Sequence, residues 1–499
     1  MGARGVRPGC NRLGSRARFR AGLRAIGIDA HKAATNSKGH DVSATVSLIS
    51  PIDGSVYLER PVMAADLAHA AAARTRAAQP AWAARPLDER IALVLAAVAE
   101  VGKTTDRMAV ELAHQMGRPV RYGGEFGGFE ERAEKMAELA EEGLAPLVIE
   151  DSDSFLRQIL REPQGVVFVV APWNYPYMTA INTIAPALIA GNTVVLKHAA
   201  QTLLVGERLA EAFHAVGVPD DVFQNLVLDH DTTASLIAAR AFDMVNFTGS
   251  VGGGHAMERA AAGTFTQVAT ELGGKDPGYV RADADLDAAA DSLIDGAMFN
   301  SGQCCCGIER IYVHESRYDA FVDKAVALVK GYKLGNPLDP DTTIGPMAHA
   351  RFAAEARAQI SEAVAAGATA HIPPFAEDDG AAYLTPQILT GVTHNMRVMR
   401  DETFGPIVGI MPVKDDAEAI ERINDSDFGL TVSLWTRDVQ AALDIGAKVQ
   451  TGTVFMNRCD YLDPALCWTG CKDTGRGTGL SVLAYHALTR PKSYHLKKV

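Results

Sequence analysis

Two residues of this chain are of types that can together do chemistry on a carbonyl group. Cys305 lies in the run Phe299-Asn300-Ser301-Gly302-Gln303-Cys304-Cys305-Cys306-Gly307, and Glu271 lies 34 residues upstream, in Thr270-Glu271-Leu272-Gly273-Gly274-Lys275. A thiolate attacks electrophilic carbon, and a carboxylate can take a proton from the water that hydrolyses the resulting thioester. The pair predicts covalent catalysis on a carbonyl compound.

An alternation of strands and helices between residues 165 and 248 would position such groups. Short runs rich in Val and Phe are predicted as strands at 165–171, 193–196, 223–228 and 244–247, separated by helices at 178–190, 202–216 and 232–240. This pattern is typical of a parallel sheet covered by helices on both faces. Ligands of such sheets bind at the carboxyl ends of the strands, so we expect the site there.

A glycine-rich turn follows the last of these predicted strands. Phe247-Thr248-Gly249-Ser250 precedes a helix that opens with Gly252, Gly253 and Gly254. Glycine lets the backbone approach a pyrophosphate, and the first amides of a helix are free to donate to it. The spacing is not the usual G-x-G-x-x-G fingerprint, so an ordinary turn stays open as the alternative.

Composition narrows the class of protein. The chain has 499 residues, of which 47% are hydrophobic, and a net charge of -12, so it can build a large core in more than one domain. An acidic protein is a poor partner for nucleic acid, and no apolar run approaches the roughly 18 residues of a membrane span. The sequence predicts an enzyme-sized globular protein with neither nucleic-acid nor membrane partners.

The first 38 residues differ from the rest. Residues 1–38 carry a charge of +8, which leaves -20 on the remainder. This Arg-rich, acid-poor composition predicts a disordered extension, with an organelle import leader as the alternative. Seven cysteines in so long a chain, three of them adjacent, indicate reduced thiols in a cytoplasm-like compartment, or in an organelle matrix if the leader is real. No ligand set completes a metal site around Cys467 and Cys471, so none is predicted.

Six motifs occur in one order along the chain. They are Pro172-Trp173-Asn174-Tyr175-Pro176, Lys197, Phe247-Thr248-Gly249-Ser250, Glu271-Leu272-Gly273-Gly274-Lys275, Gly302-Gln303-Cys304-Cys305 and Glu402-Thr403-Phe404-Gly405-Pro406. The set resembles the aldehyde dehydrogenase superfamily over roughly residues 45–499. The resemblance implies oxidation of an aldehyde to a carboxylic acid with reduction of NAD or NADP.

The resemblance also implies roles for single residues. Cys305 would be the nucleophile, Asn174 and the backbone N–H of Cys305 would stabilise the alkoxide, and Glu271 would activate the hydrolytic water. On the cofactor side, the implied contacts are Lys197 with the adenosine ribose, Gly249 and Ser250 with the pyrophosphate, Glu402 with the nicotinamide ribose and Phe404 with the ring. Two alternatives stay open: a member that transfers the acyl group to coenzyme A, which Glu271 disfavours, and a catalytically silent member.

Ala200 departs from the pattern of NAD-preferring members. Many of them have a glutamate three residues after the strand lysine, which accepts from the ribose hydroxyls and repels a 2′-phosphate. Here the stretch is Lys197-His198-Ala199-Ala200, so we expect that NADP is tolerated beside NAD.

The substrate tunnel is less legible. The family's layout implies a lining of Tyr175, Met178, Asn182, Cys304, Cys306, Cys459 and Trp468. Such aromatic and sulfur-bearing walls suit medium aliphatic or aromatic aldehydes. Arg458 is either a solvated loop cation or a contact for a substrate carboxylate.

The expected architecture is an α/β fold with a Rossmann-like parallel-sheet cofactor domain, an α/β catalytic domain and a β oligomerisation arm. The predicted boundaries are 1–38 for the extension, 39–144 and 164–273 for the NAD(P)-binding domain, 274–472 for the catalytic domain, and 145–163 with 473–499 for the arm. The tail from Leu488 to Leu496 alternates like a strand. In the family such an arm pairs with another subunit, so a homodimer or homotetramer is expected.

Overall fold

A five-stranded parallel sheet forms the part of the protein that was predicted to bind a dinucleotide. The computed structural model describes residues 44–499, and the predicted extension 1–38 lies outside these residues. The strand order is β7-β6-β5-β8-β9. The strands are β5 (Val166–Val170), β6 (Thr193–Lys197), β7 (Phe223–Asn225), β8 (Met244–Thr248) and β9 (Gln267–Glu271). This order confirms the predicted parallel sheet.

The central strand β5 explains why this sheet forms. All five of its residues, Val-Val-Phe-Val-Val, are buried, as expected for a strand with helices on both faces. The helix Pro176–Ile189 that follows begins with proline, whose missing N–H is not needed at a first helical position. One predicted boundary was wrong, since β7 ends at Asn225 whereas the strand was predicted at 223–228.

A seven-stranded sheet carries the second half of the chain. Its order is β12-β13-β14-β11-β10-β16-β17, with β12 antiparallel to β13 and the other pairs parallel. The strands are β10 (Asp276–Val280), β11 (Ile308–His314), β12 (Thr369–Ala370), β13 (Gln387–Thr390), β14 (Ile407–Val413), β16 (Thr431–Trp435) and β17 (Thr453–Met456). Residues 272–275 join β9 to β10, so the two sheets meet beside Glu271.

A third, antiparallel sheet contains the predicted arm. Its order is β19-β4-β3, built from β3 (Leu147–Asp151), β4 (Phe155–Pro163) and β19 (Thr489–Lys497). Two short pairs complete the strands: β1 (Thr45–Ile49) with β2 (Val56–Pro61), and β15 (Phe428–Gly429) with β18 (Cys471–Lys472). The α/β architecture is as predicted, whereas the exact domain boundaries stay a prediction.

Helices cover the two large sheets. They are Ala65–Ala83, Leu87–Gly102, Thr105–Met116, Phe126–Glu138, Ala140–Leu144, Pro176–Ile189, Leu203–Ala215, His230–Ala238, Val251–Ala261, Leu286–Met298, Tyr318–Lys330, Ala350–Ala365, Arg397–Arg400, Asp416–Asn424, Val439–Gly446 and Ser481–Ala487. Short 3-10 turns lie at Val120–Tyr122, Ala200–Thr202, Phe299–Gly302 and Glu315–Arg317. Within residues 44–499, every helix is too short or too polar to cross a bilayer.

Candidate active site

Two cavities meet where the five-stranded and seven-stranded sheets adjoin. The larger, of ≈ 900 Å³, is lined by every residue predicted for the site: Asn174, Lys197, Gly249, Ser250, Glu271, Cys305, Glu402 and Phe404. The smaller, of ≈ 250 Å³, has Cys305 and Glu271 in its lining as well. These two residues therefore lie in the wall that both cavities share.

Cys305 is positioned by a left-handed turn. The helix Leu286–Met298 ends in the 3-10 turn Phe299–Gly302, where Asn300, Ser301 and Gly302 all have positive φ, of 54°, 57° and 69°. A Cβ on Gly302 would lie 2.1 Å from the carbonyl oxygen of Gly405, so only glycine fits this contact. The turn thus fixes the cysteine against the loop that holds Glu402 and Phe404.

Two thiols and one carboxyl group surround the predicted nucleophile, Cys305. The Sγ atoms of Cys304, Cys305 and Cys306 all lie within 4.8 Å of one another. Cys304 and Cys306 are buried, and each donates to Oδ1 of Asp460, at 3.3 and 3.1 Å. Hydrogen bonding from the two neighbouring thiols lowers the pKa of Cys305, while the pKa of each neighbour is raised. Of the three, Cys305 is the one that the surroundings favour as a thiolate.

Glu271 ends strand β9 and faces the same wall. One of its carboxylate oxygens accepts from the hydroxyl of Thr248, the last residue of the neighbouring strand β8, at 3.4 Å. Burial raises the pKa of Glu271 to about 7, because a carboxylate loses hydration there. A carboxyl group with this pKa can accept and release a proton near neutral pH.

Asn174 is held by its backbone, which leaves its side chain free. Its carbonyl oxygen accepts from Arg118 and from Asn300 Nδ2. Arg118 forms a buried ion pair with Glu125, whose second oxygen accepts from the amides of Tyr177 and Met178 at the start of the following helix. Among residues 44–499, no partner hydrogen bonds to the Asn174 side-chain amide or to the backbone N–H of Cys305. Both groups are therefore available to donate to a ligand.

Lys197 lies at the end of β6, in the lining of the larger cavity. Burial lowers its pKa, since the ammonium group is partly removed from water. The neighbouring His198 is buried between Pro176 O and Thr202 Oγ1, and burial lowers its pKa to about 4, so its ring is neutral at pH 7. Ala200 is exposed in the cavity two residues later and presents only a methyl group.

The helix Val251–Ala261 begins beside this cavity. Ser250 caps it by accepting from the amide of Gly253, at 3.2 Å. A Cβ on Gly253 would lie 2.4 Å from the ring of Phe247, so a larger residue here would clash with that ring. Such a helix end attracts an anion through its dipole and its unpaired amides.

A buried carboxylate organises the loop that carries Glu402 and Phe404. Glu309 accepts from the amides of Thr403 and Phe404, both at 2.8 Å, and from the ammonium of Lys275, at 2.5 Å. Glu402 in turn accepts from the amide of Gly274, at 3.0 Å, and burial raises its pKa to about 8.

The larger cavity offers what a dinucleotide needs. A cation, a carboxyl group, a helix N-terminus cleared of side chains and an aromatic ring lie along one cavity at the carboxyl ends of parallel strands. The residues present therefore fit NAD or NADP.

Six of the seven residues predicted for the substrate tunnel line the smaller cavity. Tyr175, Met178, Asn182, Cys304, Cys306 and Trp468 all line it. The prediction was wrong for Cys459, whose thiol instead donates to Ser292 O at 3.2 Å. Arg458 is exposed and stacks on the ring of Tyr461, 3.9 Å from its centroid, outside the described lining.

Two residues of this cavity escaped the sequence analysis. Asp460 belongs to no recognised motif, and burial raises its pKa well above the usual range. Arg132 lies on the helix Phe126–Glu138, three residues after buried Phe129 and four before buried Met136. A cation on the apolar stripe of a helix was the signal that could have identified it.

Comparison with known proteins agrees with this geometry. Residues 38–494 match the model of the "Aldehyde dehydrogenase family". A 4,4'-diapolycopene aldehyde oxidase from a Methylomonas species is 33% identical over 83% of this chain and 78% of its own length. A succinate semialdehyde dehydrogenase of the NAD(P)+ type from Escherichia coli is 32% identical over 78% of this chain and 85% of its own.

A solved structure agrees as well. The NADP-dependent glyceraldehyde-3-phosphate dehydrogenase from Bacillus halodurans, complexed with NADP, matches with a TM-score of 0.86 and 30% identity, over 91% of this chain and 96% of its own. Family model, relatives and fold thus coincide with a cavity that suits a dinucleotide. The chain belongs to the aldehyde dehydrogenase family and is an NAD(P)-dependent enzyme that oxidises an aldehyde to a carboxylic acid.

Proposed function

We propose that oxidation proceeds through a thiohemiacetal and then a thioester on Cys305, and that water activated by Glu271 hydrolyses the thioester. The observation that carries this proposal is the wall shared by the two cavities. Cys305 and Glu271 line both the cavity that suits a dinucleotide and the smaller one. An aldehyde carbon bonded to Cys305 would be within reach of both sides.

The first step is attack by the Cys305 thiolate on the aldehyde carbon. The neighbouring thiols lower the pKa of Cys305, which raises the thiolate fraction at neutral pH. As the carbonyl oxygen becomes an alkoxide, Asn174 Nδ2 and the backbone N–H of Cys305 donate to it. Two preorganised donors of this kind typically lower a barrier by a few kcal/mol.

The coenzyme would lie in the larger cavity. Lys197 would contact the adenosine ribose, Gly249 and Ser250 the pyrophosphate, Glu402 the nicotinamide ribose, and Phe404 the ring. When bound, the nicotinamide supplies the acceptor for the hydride of the substrate carbon. Hydrogen bonds with Gly274 and Glu309 hold residues 402–404 in place, so the loop that carries Glu402 and Phe404 would orient the nicotinamide.

Hydrolysis of the thioester is the task of Glu271. In its ionised form it takes a proton from water, and the hydroxide attacks the acyl carbon and releases the Cys305 thiolate. The raised pKa, about 7, supports this role, because a stronger base removes the proton from water more readily. Water as the acyl acceptor gives a free carboxylic acid as product.

We further propose that NADP is accepted beside NAD, because Ala200 offers no carboxylate to repel a 2′-phosphate.

The working protein would be a homodimer or homotetramer that pairs through its arm. Leu147, Val148 and Ile149 support this, since they expose 60%, 54% and 56% of their surface on the edge strand β3. Ile149→Lys should lower the mass measured by light scattering.

The free thiols of the described residues support a reducing compartment, either cytoplasm or organelle matrix.

One experiment tests the nucleophile. A panel of aldehydes is assayed with NAD and NADP at the absorbance of the reduced nicotinamide, for the parent protein and for Cys305→Ser. Cys304→Ser and Cys306→Ser are matched controls, because they change the same atom one residue away. Cys305→Ser should abolish turnover of every aldehyde, while both controls keep measurable turnover. Full activity in Cys305→Ser would refute the proposed chemistry.

A further inference from the structure

Arg132 is a buried cation in the lining of the smaller cavity. Its residue surface is only 8% exposed, and it lies on the helix Phe126–Glu138 that forms one wall. Nη1 donates to Met178 O at 2.9 Å and to Asn182 Oδ1 at 3.4 Å. Within residues 44–499, Nε and Nη2 have no hydrogen-bond partner.

The acids around Arg132 do not neutralise it. No carboxylate of residues 44–499 lies within salt-bridge distance of its guanidinium. Glu125 is paired with Arg118, and Glu131 accepts from the hydroxyl of Tyr461 at 3.0 Å. Burial raises the pKa of Asp460 well above its usual range, which disfavours its charged form, and Glu271, with a pKa of about 7, is only partly ionised at neutral pH.

An unpaired buried charge destabilises the folded protein, and in proteins such a charge usually has a partner of opposite sign. Arginine does not solve the problem by losing its proton, because its pKa lies far above neutrality. The Cys305 thiolate and the ionised form of Glu271 attract Arg132 through space, but neither hydrogen bonds to it, so an anion that enters the cavity can supply the missing partner. A carboxylate suits a guanidinium best, since it accepts two parallel N–H groups.

Asn182 adds a second donor beside Arg132. Its side-chain oxygen is occupied by Arg132, while its Nδ2 carries no hydrogen bond to any residue between 44 and 499. It lines the same cavity, so its amide nitrogen can donate to the same anion. Met178, Leu462 and Trp468 supply an apolar wall for the methylene groups between the anion and the aldehyde.

We propose that the smaller cavity takes aldehydes that carry a carboxylate at their far end, and that Arg132 binds this carboxylate. The inference rests on the proposed function, in which Cys305 receives the aldehyde end. It adds charge recognition to walls whose aromatic and sulfur-bearing lining alone suggested neutral substrates.

The test compares aldehydes of equal carbon number with and without the carboxylate. The pairs are succinic semialdehyde with butanal and glutaric semialdehyde with pentanal. For the parent protein, kcat/KM should be at least tenfold higher for the acid of one pair or both. Arg132→Met should lower this ratio by roughly tenfold or more, chiefly through KM, because a charge-assisted hydrogen bond is lost. Arg132→Lys should retain part of the preference.

Arg458→Met is the matched control. It removes a cation that is exposed near the same cavity, so the ratio should hold if Arg132 is the anchor. Two results would overturn the inference: no preference for the acid in the parent protein, or an equal fractional loss for both members of each pair in Arg132→Met. The second result would assign Arg132 a structural role, or one in the charge state of Glu271.

A second measurement covers a variant that does not fold. Glutarate should inhibit the parent protein competitively with the aldehyde, and pentanamide, which is uncharged, should inhibit at least tenfold more weakly. Equal inhibition by both would overturn the inference. Turnover of butanal separates the two levels: if butanal is oxidised through Cys305 without any preference for acids, only the role of Arg132 fails. If no aldehyde is oxidised, the proposed function fails too.

Discussion

Glu271→Gln gives the most direct test of how this site finishes its reaction. The change keeps the size of the side chain and removes its ability to take a proton. With a pKa of about 7, Glu271 is ionised in about one molecule in eleven at pH 6 and about ten in eleven at pH 8. Hydrolysis should therefore rise about tenfold over this range in the parent protein. In the variant it should be slower by roughly 10²-fold or more and nearly independent of pH.

An ester with a coloured leaving group isolates this step. It acylates Cys305 without any coenzyme, so a rapid burst of colour reports formation of the thioester and the following slow phase reports its hydrolysis. Glu271→Gln should retain a burst close to one equivalent per site. Its slow phase should nearly disappear. The difference between the two phases separates an effect on water activation from an effect on the nucleophile.

Thr248→Val serves as the control. It removes the hydroxyl that donates to Glu271 while leaving the carboxyl group in place. Because that hydrogen bond lowers the pKa of Glu271, the pH profile should move to higher pH without losing its slope. The role of Glu271 as general base would be refuted if the slow phase of Glu271→Gln were as fast as that of the parent protein. It would also be refuted if hydrolysis had the same pH profile in Glu271→Gln as in the parent protein.

Three further predictions follow from the same geometry. Ala200→Glu should lower the ratio of kcat/KM for NADP to kcat/KM for NAD at least tenfold in steady-state assays. An unchanged ratio would contradict the proposal that the 2′-phosphate of NADP lies beside Ala200. Burial raises the pKa of Glu271 from 4.5 to about 7, so its ionisation leaves the free energy of unfolding unchanged below pH 4.5 and lowers it by about 3 kcal/mol above pH 7. Glu271→Gln should therefore raise Tm more at pH 8 than at pH 5, as scanning fluorimetry can check. Arg118→Met leaves Glu125 buried without its cation and should destabilise the protein by about 3 to 5 kcal/mol in denaturant unfolding, whereas the double variant with Glu125→Gln should recover part of the loss.

Sequence predicted the parallel sheet because its signal is local. A run such as Val166–Val170 is apolar throughout, and the proline at the start of the next helix marks its boundary. Cys305 and Glu271, the residues of the shared wall, could also be identified from the sequence, since both lie in motifs at chain turns. Their common cavity is a fact of the fold that no single segment contains.

Arg132 and Asp460 could not be found in this way. Each reaches the site from a segment whose local sequence is ordinary, a helix rich in charged residues and a loop after β17. Their roles depend on what faces them across the cavity, which is tertiary information. Cys459 is the opposite case, because it was predicted to line the tunnel and does not. In the loop after β17 its thiol donates to Ser292 O, whereas the next residue, Asp460, accepts from the thiols of Cys304 and Cys306.

The contact of Gly302 with Gly405 has a consequence for how enzymes with this architecture can diversify. The nucleophile's turn and the loop that would hold the nicotinamide end press backbone against backbone, so neither can shift without displacing the other. On the opposite side, the helix Phe126–Glu138 contributes Gly128, Glu131 and Arg132 to the lining of the smaller cavity, and a substitution there leaves the contact of Gly302 with Gly405 in place. Backbone packing thus holds the turn of Cys305, whereas the proposed substrate selectivity depends on residues of the facing helix.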